Sequence, residues 1–169
     1  MITAWRLVKS RHATGAFDGE GARLHGGRWN SPGIRVAYAS DSIALAALEV
    51  LAHLQSTAVL QAYSVVSLSF PDQSEEVLEA RFLPPRWRSF PSPPENQAIG
   101  DQWVARGESL ILRVPSAIIS AASTYLINPL HPEFPEAVIG KPERFAFDPR
   151  LLSGGSSPGG RGAGGTSRR

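Results

Sequence analysis

Apolar residues in this chain fall into short blocks separated by proline, glycine and charge. Residues 3–9 (TAWRLVK) read as a first strand. Residues 14–27 (TGAFDGEGARLHGG) are Gly-rich and polar, and read as a loop. Pro32-Gly33 signals a turn. Residues 34–39 (IRVAYA) are β-rich and partly alternating, which predicts a second strand. Ser40 or Asp41 then offers an N-cap for a helix of Ala and Leu running from Ile43 to Leu54. Residues 59–70 read as a strand ended by Pro71, and residues 74–80 as a short helix or extended chain.

The second half begins with five prolines within residues 82–94, which predict an irregular cover. Residues 95–107 read as a second helix stopped by Gly107. Strands are predicted at 109–114, 123–128 and 143–148, with a Pro-broken loop at 129–136. Helices and strands mix without a regular βαβ rhythm, so the predicted class is α+β.

The last block differs in kind. Residues 151–169 are rich in Gly and Ser and too poor in apolar side chains to order themselves. Two parts are therefore expected: a folded domain over 1–150 and a tail over 151–169. This division changes how the charge is read. The 169 residues carry a formal net charge of +2, which at first points to an anionic partner. The tail holds Arg161, Arg168 and Arg169 and no acid, leaving 14 basic and 15 acidic residues in the rest. The domain is thus −1, and its net charge gives no reason to expect nucleic acid.

Absences narrow the chemistry further. With no cysteine there is no disulfide framework, thiolate metal site or cysteine nucleophile, a composition that suits a reducing cytoplasm. The N-terminal residues lack the apolar region of a secretory signal, and no apolar run reaches the roughly 18 residues of a membrane span. His12, His25, His53 and His131 do not have metal-ligand spacing, so no metal is expected. A dinucleotide-binding glycine fingerprint, a phosphate-binding P-loop and a nucleophile elbow are also missing.

A few positions carry candidate chemistry. In the helix after Asp41, Ser42, Glu49 and His53 fall within about 40° of one another at about 100° per residue. They form a narrow polar stripe on an otherwise apolar helix. Such a stripe either faces solvent or points a carboxylate into a cleft, where it can accept a hydroxyl or oppose developing positive charge. Arg28 follows Gly26-Gly27, where the backbone can approach a ligand and a guanidinium fork suits phosphate oxygens; a plain surface arginine is the alternative. Tyr38 is a core aromatic or a stacking surface. Ser116 reads as a turn or cap serine after the strand LILRVP, and Asn128 and His131 as loop caps or pocket-lining residues.

Four stretches together resemble one family. GGRWNSPGIRVAYAS, LAALEVLAHL, LILRVPSAI and YLINPLHPEF, in that order, resemble the RES-domain toxins of bacterial RES–Xre toxin–antitoxin systems, over about residues 3–148. The family's Arg, Glu and Ser fall on Arg28, Glu49 and Ser116, with Ser109 seven residues earlier as the other serine, and its active-site tyrosine falls on Tyr38. The resemblance implies an ADP-ribosyltransferase-like fold, with small mixed or antiparallel sheets and helices around an NAD+ cleft.

By the same resemblance NAD+ is the substrate rather than a resident cofactor. Its depletion by cleavage of the nicotinamide N-glycosidic bond would arrest growth. Arg28 would hold a phosphate or the ribose side of NAD+, Tyr38 would stack on nicotinamide, and Glu49 would hydrogen-bond the ribose and stabilise positive charge. Water, phosphate or a protein side chain remains open as acceptor, the last making the chain a protein-modifying ADP-ribosyltransferase. The implied partner is an Xre-type helix-turn-helix antitoxin, with a toxin homodimer inside a larger assembly and no direct nucleic-acid or membrane contact. A reading from another class is a non-catalytic binding module whose basic tail contacts nucleic acid.

Overall fold

The computed structural model describes residues 1–54 and 62–151. Eight strands and three helices are assigned among them: β1 (Ile2–Lys9), α1 (Glu20–His25), β2 (Ala37–Ser40), α2 (Ile43–His53), β3 (Tyr63–Phe70), β4 (Glu75–Val77), α3 (Pro94–Arg106), β5 (Ile111–Pro115), β6 (Ser123–Ile127), β7 (Val138–Ile139) and β8 (Glu143–Phe145). The class is α+β, as the sequence predicts. One sheet runs β4-β5-β6-β2-β1-β3-β7, with β8 also on β3. Every pairing is antiparallel except β4 with β5.

The sheet is unevenly stitched. β1 and β3 are in register over their whole length, from Ile2 opposite Phe70 to Lys9 opposite Tyr63. β5 and β6 are similarly matched from Ile111 opposite Ile127 to Pro115 opposite Ser123. Between these halves, β1 pairs β2 at one position, Trp5 opposite Ser40. The fold is therefore two well-paired half-sheets meeting at a short seam.

Apolar side chains leave both faces of the strands, as period-2 alternation requires in a sheet covered twice. Ile111, Tyr125 and Ile127 join Val66, Leu68 and Phe70 in one core. Their neighbours Leu112, Val114 and Leu126 point the other way, onto Trp29, Trp87 and Trp103. A third core lies under α2, where Ala46 and Ala47 meet Leu7, Tyr63, Val65 and Phe147.

Several boundaries differ from the sequence expectation. The α2 cap is Ser42, whose Oγ accepts the Leu45 N–H at 3.2 Å, and neither Ser40 nor Asp41. Ser40 is the last residue of β2, and the Asp41 carboxylate accepts the Ser123 N–H at 2.6 Å, tying β2 to β6. The Gly-rich stretch 14–27 is not all loop. Gly19 and Gly26, with φ of +68° and +71°, bracket the short α1. Residues 34–36 stay outside β2, and the Ile34 carbonyl accepts from the Asn30 side chain at 3.0 Å. Positions 59–61 of the predicted third strand and the tail from 152 lie outside the described residues. Within residues 74–80, Glu75–Val77 form β4 between 3-10 turns that end at Ser74 and begin at Ala80, and the two-residue β7 has no counterpart in the sequence expectation.

The proline-rich segment is a cover, as expected, but a well-anchored one. Leu83 and Trp87 reach down into the tryptophan core while Phe90 projects outward. α3 begins at Pro94 and ends on Gly107, which adopts the left-handed conformation (φ +59°) that glycine reaches without a Cβ penalty.

Candidate active site

The arginine expected from the sequence sits on a tightly held hairpin. Gly27 N–H donates to the Asn30 carbonyl at 2.9 Å, which makes residues 27–30 a tight turn presenting Arg28 and Trp29. Asn30 is fully buried and organises this turn. Its Nδ2 donates to the carbonyls of Ala22, Ser31 and Ile34, and its Oδ1 accepts the Tyr38 hydroxyl at 2.6 Å. The same hydroxyl oxygen accepts the Trp29 N–H at 3.0 Å. Two glycines are obligatory here. A Cβ on Gly27 would lie 2.6 Å from the Tyr38 oxygen, and one on Gly100 would lie 1.7 Å from the Trp29 carbonyl oxygen.

Tyr38 therefore does something the sequence reading did not assign to it. Its ring packs partly against the tryptophan core, and its hydroxyl is the post on which the arginine turn hangs. Burial pushes that hydroxyl well above the ordinary phenol value, so it stays a neutral donor to Asn30.

Arg28 reaches across to the proline-rich cover. Its Nη1 donates to the carbonyls of Trp87 at 2.6 Å and Ser89 at 3.1 Å. Among the described residues its other N–H groups have no hydrogen-bond partner, so donors remain for an anion. Burial pulls its pKa down, and the charge of Glu49 opposes that pull. A guanidinium in this position still keeps its proton at neutral pH.

Glu49 comes from the other side, on α2. It is half-buried, and His53 Nδ1 lies 2.7 Å from its own backbone carbonyl. Ser42 is spent as the helix cap, so the polar stripe divides its tasks. Burial raises the Glu49 pKa, against the opposing effects of His53, Arg28 and the Ser116 hydrogen bond. Ser116 is completely buried and donates its hydroxyl to Glu49 Oε1 at 3.5 Å. The serine oxygen in turn accepts the N–H groups of Ile118 and Ile119 at 3.1 and 3.2 Å. Ser109 is elsewhere, accepting the Trp103 indole N–H at 2.8 Å. Of the two candidate serines, Ser116 is the one that meets Glu49.

Comparison with known proteins decides the family. A family model described as the RES domain matches residues 3–148. The chain belongs to the RES-domain family of toxins. It is 35% identical over 148 residues to a protein named Toxin Res from Yersinia enterocolitica, covering 87% of this chain and 97% of that one. It is 34% identical over 153 residues to the Prs ADP-ribosylating toxin of a Sphingobium species, covering 88% and 95%. Among solved structures, a chain of the M. tuberculosis MbcT–MbcA toxin–antitoxin complex superposes with a TM-score of 0.70 at 20% identity, covering 89% of this chain and 86% of that one. That last likeness is one of fold.

In this RES-domain chain the structure also displays residues that the sequence reading passed over. Arg6, on β1, has a buried Nη1 with no hydrogen-bond partner among the described residues, and the charge of Asp18 favours its cation against burial. Its signal in the sequence was an arginine alternating with Ile2, Ala4 and Val8 on a strand face. Asn30 and Arg88 carried no signal, because their roles depend on partners far along the chain. Asn128 and His131 cap their loop. Asn128 Oδ1 accepts the Leu130 N–H at 3.0 Å, and His131 Nδ1 accepts the Glu133 N–H at 3.2 Å.

Proposed function

We propose that this RES-domain chain is an enzyme, the toxin of a toxin–antitoxin pair, and that it cleaves the nicotinamide N-glycosidic bond of NAD+ between Arg28 and Glu49. The observation that carries this reading is the Ser116–Glu49 contact. It brings residues 67 positions apart to a carboxylate that also lies within electrostatic reach of Arg28. A fixed cation opposite a half-desolvated carboxylate suits a substrate with an anionic diphosphate and a positive charge that passes from the nicotinamide ring to the ribose as the bond breaks.

The steps follow from charge. Arg28 offers its unused N–H groups to the phosphate or ribose side of the dinucleotide. Breaking the bond between ribose C1′ and the nicotinamide nitrogen sends the bonding pair to nitrogen, and the ring leaves neutral. Positive charge develops on the ribose, as in other glycosidic cleavages with an oxocarbenium-like transition state. The Glu49 carboxylate stabilises that charge, and partial burial strengthens the attraction. No strong general acid is needed, because the leaving group requires no proton. Tyr38 contributes by holding the Arg28 turn and offers the exposed part of its ring to the nicotinamide side.

A second reading keeps the bond cleavage and changes the acceptor. The name of the Sphingobium relative supports transfer of ADP-ribose to a protein. An antitoxin partner is proposed from the complex in which the fold neighbour occurs. The test is incubation of the purified chain with NAD+. Nicotinamide and free ADP-ribose in equal amounts support hydrolysis, and ADP-ribose 1-phosphate formed with added phosphate supports phosphorolysis. Label transferred to protein supports the second reading. Nicotinamide release that survives Glu49→Ala sinks the mechanism.

A further inference from the structure

The two ends of the site belong to different halves of the fold, so something must fix their spacing. The proline-rich cover does so through four hydrogen-bonded anchors. Arg28 grips the Trp87 and Ser89 carbonyls, on either side of Arg88. Ser92 Oγ returns a hydrogen bond to the Arg28 carbonyl at 3.3 Å, and Asn96 Nδ2 holds the Trp87 carbonyl at 2.7 Å. The fourth anchor leads away from Arg28. Arg88 Nε and Nη2 donate to the Ala117 carbonyl at 3.1 and 3.0 Å, with Nη2 also 3.4 Å from the Ile118 carbonyl. Those carbonyls belong to the loop whose N–H groups, on Ile118 and Ile119, hold the Ser116 oxygen.

An unbroken path therefore runs from Arg28 through the cover to Arg88, then through Ala117 and Ile118 to Ser116 and Glu49. We infer that Arg88 is a positioning residue, which latches the cover onto the Ser116 loop and so sets the spacing between the Arg28 cation and the Glu49 carboxylate. The inference rests on the NAD+-cleaving reading of that site. Arg88 is an exposed side chain lying on the buried Trp87 ring, with its guanidinium 5.9 Å from the ring centroid, so its removal leaves the cores packed. What it changes is registration, and misplacement of about 1 Å at a reacting centre costs on the order of 10²-fold.

The experiment compares wild type, Arg88→Ala and Arg88→Lys as full-length chains in steady-state NAD+ cleavage. Arg88→Ala is expected to lower kcat by about 10- to 100-fold with KM changed by less than about 3-fold, the pattern of an interaction used in the transition state. Its acid limb should move to higher pH. A loosened Ser116 no longer holds down the Glu49 pKa, and Arg28 and His53 remain as the groups opposing burial. Arg88→Lys, which can still donate to the Ala117 carbonyl, should recover part of kcat. A wild-type kcat and acid limb in Arg88→Ala overturns the inference, and so does a rise in KM alone, which would make Arg88 a substrate contact. If wild type cleaves no NAD+, the functional reading fails by itself. Amide exchange then decides the latch: faster exchange at Ile118 and Ile119 in Arg88→Ala supports it, and unchanged protection overturns it.

Discussion

The two ends of the candidate site are built to different standards. At the arginine end the turn is over-determined: the Asn30 side chain makes four hydrogen bonds, Tyr38 makes two through one oxygen, and Gly27 and Gly100 leave no room for a methyl group. At the carboxylate end, Glu49 is half-buried on a helix, and among the described residues its one side-chain hydrogen bond is 3.5 Å long. The contrast has a physical sense. A cation that binds a fixed anionic group gains from rigidity. A carboxylate that answers a charge developing during the reaction gains from incomplete neutralisation beforehand.

The sharpest way to break this contrast is Gly100→Ala. Because the new Cβ would overlap the Trp29 carbonyl, stability should fall by about 3 kcal/mol or more, read as a lost or greatly lowered thermal transition. Next comes Glu49→Gln, which should cost on the order of 10²- to 10³-fold in NAD+ cleavage while the fold survives. Its stability effect has the opposite sign. Burial raises the folded-state pKa of Glu49, so the folded chain holds that proton more tightly than the unfolded chain. Stability from this group is therefore present below the ordinary carboxylate pKa and lost as pH rises through the raised one. At neutral pH the glutamine variant should melt slightly higher, by no more than about 4 °C once solvent screening is allowed for, and the difference should close in acid.

Tyr38→Phe separates the two ends more gently. It strands the Trp29 N–H and the Asn30 Oδ1, which should cost about 1–3 kcal/mol in chemical denaturation and raise KM through a loosened Arg28. The acid limb of kcat, assigned to Glu49, should move slightly to higher pH, because a loosened Arg28 opposes the burial of that carboxylate less. The smallest effect is expected from deleting residues 152–169, with no change in NAD+ cleavage. Any salt-dependent nucleic-acid binding should vanish with that deletion, and it should be weak to begin with, since three charges release about three counterions.

The sequence made much of the fold legible, because its strands are short, apolar and bounded by proline or glycine. Pro115 closes β5 and Gly107 closes α3 as those residues chemically must. It misled where a side chain competes with the main chain. Asn30 takes the carbonyl of Ile34, and Asp41 ties down a strand when it reads as a helix cap. Arg28, Tyr38, Glu49 and Ser116 were visible as a set through the family resemblance, and as isolated candidates without it. That Ser116 rather than Ser109 meets Glu49 follows from which end of β5 approaches α2, a tertiary fact with no local signature. The latch of Arg88 was hidden for the same reason.

The third core has a consequence in time. Phe147 seals the underside of α2, edge-on to both Tyr63 and Phe145, and it stands one residue before the end of the family match. The helix that carries Glu49 is thus completed by nearly the last residue of the domain to be synthesised. Because a domain folds as a unit, a chain still growing on the ribosome lacks the packing that settles the Glu49 helix until Phe147 has emerged.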